Sequence, residues 1–572
     1  MADNTQPVQL VEKEGASDAM HQEHKEGLNE GVKEGIKVET VQGSVALDIA
    51  RRTDPPNPWS AQMRKLYLFM TVAYLCSALN GFDGSLMGAL LPIEQFRNTF
   101  GSGLVGAKAS LIQGMYTIGG VSALPFVGII LDTWGRRSGM FLGSVAVIVG
   151  TILGGTANKM DQLLASRFFL GWGYSLASAA APAYVVEMSH PAYRDILTGL
   201  YNCQYFVGAI AAAGACRGCL KYQSSLAWRI PIWCQLISSS LVVLTVWFIP
   251  ESPRWLYSHG HREKAWDVIT RYHGEGSRDN AYVHLQVREY EEAINLEGAD
   301  KNAFDFRSLI GTKAARWRLM CVGIASFMSQ WAQAGVTTYY IGGLLASAGM
   351  TDTAQVLNVN LGNTVLSAGL AYLGSYLGPK IQRRPMMMGA SVACCVRTCP
   401  ACFFPFNQCS TLTILDMKIC FACFSATTGV FAKSEDPGAA TASIVFIFLI
   451  GACFSFAWTP LQAMYAVECL SYETRAKGMA MYSVFTNIAL LVNQFGVGNA
   501  IAVIGWHTYI ILAGWNIVQG VFIYFFAVET NNRTLEELTE IFEAPNPRKK
   551  STEARQVLVS ENENQVVEVK SA

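Results

Sequence analysis

A short charged motif occurs twice in this chain, about half its length apart, each time at the edge of a long apolar run. Glu187 and Arg194 lie in VVEMSHPAYRD and Glu468 and Arg475 in AVECLSYETRAK, seven residues apart in both copies, and Glu468 follows Glu187 by 281 positions. Glu251 in WFIPESPRWL recurs as Glu529 in FFAVETNNRTLEEL, 278 positions further on. Duplicated halves embedded in a membrane, with a site between them, are how many secondary transporters are built.

The apolar runs support the membrane reading. Charged residues make up only 15% of the 572 residues, and 51% are hydrophobic. A soluble domain usually carries about a quarter charged residues. The formal net charge is zero, which gives no pointer to nucleic acid or to an acidic partner. Runs of roughly 20 apolar residues, the length a bilayer core requires, fall near Tyr67–Leu91, Leu111–Leu131, Met140–Thr156, Asp161–Ala181, Leu197–Ala215 and Ile230–Ile249. A second set falls near Trp317–Ser347, Val356–Leu377, Pro385–Phe404, Thr441–Val467, Met479–Val497 and His507–Val528. The expectation is an all-α membrane protein of twelve spans in two six-helix bundles, residues 61–249 and 317–528.

Three polar stretches complete the plan. Residues 1–60 carry a Glu-Gly repeat in HKEGLNEGVKEGIK and read as a disordered tail. Residues 250–316 read as a linker with short helices, and 529–572 as a second tail. Arg136, Arg137, Arg194, Arg383, Arg384, Arg475 and Lys477 all lie in short loops on one side of the twelve-span plan. The positive-inside rule puts that side, with both tails and the linker, in the cytoplasm.

One stretch disturbs the plan. Residues 396–435 are extra sequence, and seven of the fifteen cysteines fall between Cys394 and Cys423. They read as a local insertion or an intron carried into the gene model, not as a thirteenth span. The cysteines lie mostly in apolar segments, where Cys behaves as a small hydrophobe. CPAC at Cys399–Cys402 is the nearest approach to a metal or redox motif, and it falls in that stretch. No metal or cofactor is expected.

The motifs resemble those of the sugar porter family of the major facilitator superfamily, most closely its fungal lactose-permease-like and hexose-transporter-like members. GIILDTWGRR (Gly128, Asp132, Gly135, Arg136, Arg137) resembles the loop between the second and third spans, and RFFLGWG (Arg167, Gly171, Gly173) the fourth-span motif. PESPRWL and ETNNRTLEEL resemble the signatures after the sixth and twelfth spans, and LTGLYN and TPLQAMYAVECLSYETRAKGMA the fungal branch. The resemblance covers roughly residues 67–540 and implies the major facilitator fold with transport of a sugar across a membrane.

Charges at a bundle edge are costly unless paired. Asp132, Arg136, Arg137, Glu187, Arg194, Glu468 and Arg475 are therefore expected to pair while the cytoplasmic helix ends are close and to part on opening, biasing a two-state equilibrium. The plainer reading, positive-inside topology with solvated ends, covers the arginines but not a Glu at fixed spacing in both halves. The second copy of the loop reads PKIQRR, with Pro379 and Gln382 where the motif has Asp and Gly, so its network is expected to be weaker.

Asp83 is a carboxylate inside an otherwise apolar span. The resemblance implies Arg167 as its partner and a proton-coupling role for the pair. A permanent structural ion pair is the alternative. A sugar needs amides for its hydroxyls and aromatics for its ring faces. Gln330, Gln333, Thr337, Tyr339 and Tyr340 in the seventh span, Asn202 and Gln204 in the fifth, and Asn487 and Asn493 in the eleventh supply them. Each serves equally well as glue between helices.

The sequence departs from the family most at this site. QWAQAG stands where the fungal pattern is QWSGNG, placing Gln333 at its Gly and Ala334 at its sugar-binding Asn. Ala463 stands where many members have a ring-stacking Trp. The first reading is a proton-coupled sugar importer in the plasma membrane, working as a monomer in lipid. The others are a carrier or exporter of a polyol, cyclic acid or fungal metabolite on the same scaffold, and a sensor that binds sugar without moving it. No nucleophile–base pair or phosphate loop points to an enzyme.

Overall fold

In the computed structural model the described residues are 36–39, 51, 53–103, 105–297, 307–331, 338–350, 352–378, 381–389, 413–434, 436–471, 474–531, 533, 535–552, 555–560 and 566–571. Helices dominate, as a lipid environment demands of a chain that must satisfy its own backbone. Span 1 is Ala61–Leu90, and spans 2 and 3 are the two arms of one helix, Ala107–Gly155, bent at Gly135. Span 4 is Met160–Met188 and span 5 Arg194–Cys219. Span 6 is two short helices, Leu226–Trp233 and Gln235–Thr245.

Span 7 runs from Lys313–Gly323 through a π-helical turn, Ile324–Met328, to Ser329–Trp331, with a further helix at Ile341–Ser347. Span 8 is Thr353–Leu377, span 10 Pro437–Cys469 and span 12 His507–Phe526. Span 11 is Arg475–Val492, a second π-helical turn at Asn493–Val497, and Gly498–Ile504.

Span 9 departs from expectation. It starts as Arg383–Gly389, and a second helix, Thr413–Ser434, packs against spans 10 and 12. Of the span expected at Pro385–Phe404 the described residues include 385–389, and of the expected insertion over 396–435 they include Thr413–Ser434, a helix in contact with the bundle. Residues 390–412 lie outside the described residues. Arg383 follows Arg136 by 247 positions but Glu468 follows Glu187 by 281, so the second half holds 34 more residues between these motifs.

Spans touch where side chains vanish. A Cβ on Gly81 of span 1 would stand 1.7 Å from the Tyr205 carbonyl of span 5, and one on Gly208 of span 5 equally close, 1.7 Å, to the Ala78 carbonyl. Small residues at crossings let backbones approach when lipid gives helices no hydrophobic reason to associate.

The linker is helical, with Pro253–Ser258, Arg262–Tyr272 and Ala281–Glu297 docked under the first half. The His273 ring bonds the Met188 carbonyl at 3.0 Å through Nε2, and its Nδ1 lies 2.6 Å from Gln286 Oε1. Burial holds both His273 and its neighbour His190 below the usual imidazole range. The amphipathic Leu535–Glu543 helix buries Leu538, Ile541 and Phe542 under the second half. The N-terminal stretch expected to be disordered contributes one short strand, β1 (Ile36–Glu39). It pairs antiparallel with β2 (Arg555–Ser560) of the other tail, which pairs with β3 (Val566–Ser571). The apolar alternation IKVE, RQVLVS, VVEVKS is a strand pattern.

Candidate functional site

The arginine loops form two matching clusters, one in each half. In the first, Arg136 Nη2 meets Glu187 Oε1 at 2.9 Å, and Arg136 Nη1 donates to the Leu131 carbonyl at 3.2 Å. Glu251 accepts the backbone N–H groups of Arg136 (3.2 Å) and Arg137 (3.3 Å). In the second, Arg383 Nη2 meets Glu468 Oε1 at 2.9 Å, and Arg383 Nη1 donates to the Gly378 carbonyl at 2.8 Å. Glu529 accepts the N–H groups of Arg383 (2.7 Å) and Arg384 (3.0 Å). Tyr184 donates to the Pro250 carbonyl, and its counterpart Tyr465 to that of Val528. Each Glu therefore caps the start of a third or ninth span, where unpaired N–H groups and the helix dipole favour an anion.

Burial raises the carboxyl groups of Glu251 and Glu529 above the usual range, against the pull of these backbone N–H groups. Gly135 makes the first cluster possible. Its φ of +85° lies in the left-handed region, and a Cβ there would stand 2.5 Å from Glu251 Oε2. Gln382 fills the equivalent place in the second half, and Glu529 still reaches both N–H groups.

The gate charges were expected to pair while the cytoplasmic helix ends are close; the pairs Arg136–Glu187 and Arg383–Glu468 each lie inside one half. The carboxylate that comes into register with each arginine is on a neighbouring span of the same bundle. The second cluster was expected to be weaker; its ion pair has the same 2.9 Å length, with Arg383 2% and Glu468 22% exposed against 16% and 9% for Arg136 and Glu187. Asp132 is exposed, and its carbonyl accepts from the Trp255 indole at 3.0 Å. Arg137 donates to the Trp247 carbonyl at 2.7 Å, and Arg194 is half-buried near His190 and His273. The Arg475 side chain lies outside the described residues.

Asp83 is fully buried in span 1, and neither of its carboxylate oxygens has a hydrogen-bond partner among the described residues. Arg167 of span 4 is 1% exposed and within electrostatic reach, with its guanidinium carbon 4.7 Å from the Tyr116 ring centroid. Sequence reasoning thus placed the acid and the arginine together but missed Tyr116, an aromatic residue in an apolar run with no flag of its own.

Three of the proposed sugar residues, Asn487, Gln204 and Tyr339, meet residues of the opposite half. Asn487 of span 11 donates to the Ser483 carbonyl at 2.8 Å, and its Oδ1 faces Gly120 of span 2. Gln204 of span 5 reaches Tyr372 of span 8. Tyr339 bonds Gln494, and its carbonyl accepts from Gln113 at 3.3 Å. Gln330 and Asn202 are half-buried, and the Gln330 carbonyl, just past the first π-helical turn, accepts from Asn493 of the second at 3.0 Å. Such turns recur at functional sites. Gln333, Ala334 and Thr337 lie outside the described residues. Gln113 and Gln494 went unflagged in the sequence, though an amide at membrane depth was the available signal.

Several hydrogen bonds between halves lie at the end away from the arginine clusters. Thr117 donates to Gln494 Oε1 at 2.7 Å, Arg217 to Asn358 Oδ1 at 2.7 Å, and Ser110 lies 3.3 Å from the Tyr340 hydroxyl. The backbone of Gly106 bonds that of Gly498 at 3.2 Å.

A family model described as "Sugar (and other) transporter" matches residues 69–542. The chain belongs to the sugar porter family of the major facilitator superfamily. It is a multi-pass membrane transporter and not an enzyme. An MFS-type transporter, criB, of Aspergillus cristatus is 25% identical over 476 residues, 82% of this chain and 92% of that protein. The high-affinity glucose transporter of Kluyveromyces lactis is 25% identical over 497 residues, 83% of this chain and 85% of that protein. The quinate permease of Neurospora africana is 26% identical over 527 residues, 86% and 92%. Among solved structures, the proton:xylose symporter XylE bound to 6-bromo-6-deoxy-D-glucose aligns over 84% of this chain and 99% of its own, with TM-score 0.64 and 16% identity. Inward-open XylE from E. coli aligns over 84% and 100%, with TM-score 0.63 and 17% identity.

Proposed function

We propose that this transporter carries a sugar, a hexose or a disaccharide such as lactose, inward across the plasma membrane with a proton. The observation that carries the reading is Asp83, a carboxylate with no exposure and no hydrogen-bond partner among the described residues, set opposite Arg167. An ionised carboxylate there costs several kcal/mol unless its charge is compensated. Binding a proton removes the cost and frees Arg167. Losing it restores the attraction. A pair that alternates in this way couples proton occupancy to helix position. Similarity to glucose transporters and to a proton:xylose symporter supports the same reading.

The halves move as rigid bodies, each braced at its cytoplasmic end by its own Arg–Glu cluster. The interhalf bonds at the opposite end correspond to a state closed to the outside. Gln330, Gln333, Asn202, Gln204, Tyr339 and Asn487 offer hydroxyl partners and a ring face to a sugar between the halves. A second reading, a carrier of a polyol or cyclic acid, is favoured by Ala334 in place of the family's Asn and by the quinate permease among the relatives.

Uptake of labelled glucose, xylose, lactose, a polyol and quinate into transport-deficient yeast decides between them. Sugar uptake that rises at acidic pH supports the first reading. Uptake confined to quinate or the polyol, or none with the protein at the cell surface, refutes it.

A further inference from the structure

Span 2 brings a third polar group to the buried acid and base. Tyr116 is 8% exposed, and its hydroxyl has no hydrogen-bond partner among the described residues. Arg167 Nε and Nη1 are likewise buried without partners, and so are both oxygens of Asp83. Three helices thus present donors and acceptors to one region, and a buried polar group left unsatisfied is costly. The Tyr116 ring lies under the Arg167 guanidinium at 4.7 Å and stacks on Tyr174 at 5.6 Å between centroids, 21° apart. A ring face attracts a cation at this distance, and desolvation strengthens the attraction.

The backbone fixes this placement. A Cβ on Gly171 of span 4 would stand 1.8 Å from the Tyr116 carbonyl, so spans 2 and 4 are in contact at the level of the ring. The next residue, Thr117, donates to Gln494 of the other half at 2.7 Å. Titratable and charged groups facing the cluster are Arg167 and Tyr174 from span 4, Tyr205 from span 5 and Tyr339 from the span 7 region.

We propose that Tyr116 is a positioning residue of the proton-coupling site: its ring holds Arg167 beside Asp83, and its hydroxyl is the donor the Asp83 carboxylate takes up once its proton has left. This rests on the proton-coupled reading above. A donor to the anion favours the charged form, so removing it shifts proton loss to higher pH.

The test uses the full chain in liposomes, with wild type, Asp83→Asn, Tyr116→Phe and Tyr116→Leu. The carbonyl stretch of the buried carboxylic acid is titrated by infrared spectroscopy, and accumulation of labelled D-glucose and D-xylose is measured on the same samples. The wild type is expected to show a titrating band that Asp83→Asn lacks. Tyr116→Phe moves its midpoint up by about one pH unit and keeps accumulation at acidic pH, because the ring remains. Tyr116→Leu lowers accumulation as well.

A Tyr116→Phe midpoint equal to that of the wild type overturns the role of Tyr116 while leaving the proton-coupled reading standing. A wild-type spectrum with no Asp83-dependent band overturns both. Tyr116→Phe is nearly isosteric, so it decides the matter even if Tyr116→Leu does not fold.

Discussion

Replacing Arg383 by Ala tests whether the second-half cluster braces its bundle. Arg383 is 2% exposed and meets Glu468 twice, through Nη2 at 2.9 Å and Nε at 3.4 Å. It also donates to the Gly378 carbonyl at 2.8 Å. Truncation strands a partly buried carboxylate and a carbonyl, at a cost of about 3–5 kcal/mol. Glu468→Gln takes the nearest carboxylate from a buried guanidinium, at about 3 kcal/mol. Once the arginine is gone, the Gln adds little further harm. The double variant should therefore be more stable than the sum of the singles predicts, by about 2–3 kcal/mol. Denaturant titration of the four proteins in mixed micelles gives the cycle. Strict additivity, with an interaction below about 0.5 kcal/mol, would refute the reasoning and make the cluster a set of independent surface charges.

Three further outcomes follow from the same geometry. Stability should carry two opposing pH dependences. The raised carboxyls of Glu251 and Glu529 contribute stability below the ordinary carboxylate range that is lost as pH rises through their folded pKa. The lowered imidazoles of His190 and His273 contribute above 6.5, and for His190 this is lost as pH falls toward about 3. Denaturant midpoints across that range check this, and His190→Asn should flatten the acid limb. Gly171→Ala forces spans 2 and 4 apart and should cost about 1–3 kcal/mol and most of the transport, read by the same titration and by uptake. Gln330→Ala should raise KM for the transported sugar with surface expression unchanged; an unaltered KM would make Gln330 helix glue.

The fold was legible because a bilayer allows few solutions. Runs near 20 residues and a motif repeated at offsets of 281 and 278 announce two bundles before any packing is known. Span 9 was expected at Pro385–Phe404 from composition, most of which lies outside the described residues, and composition does not show that Thr413–Ser434 packs against spans 10 and 12. The loop charges were legible as groups that must pair, but spacing along the chain does not say which helix lies next door, so Arg136–Glu187 and Arg383–Glu468 were not named as partners. Asp83 stood out as a charge in an apolar run. Tyr116 did not, since its role depends on Arg167 lying over its ring. Gln113 is a single amide in a long apolar helix and Gln494 stands beside Asn493, and only the crossing of spans 2, 7 and 11 gives them a shared position.

The most direct test of the account imposes an inward proton gradient on liposomes holding the full chain, with labelled D-glucose and D-xylose outside. Wild type should accumulate sugar above its external concentration and lose the accumulation when the gradient is collapsed, while Asp83→Asn should only equilibrate it. Accumulation by Asp83→Asn equal to that of the wild type would contradict the account.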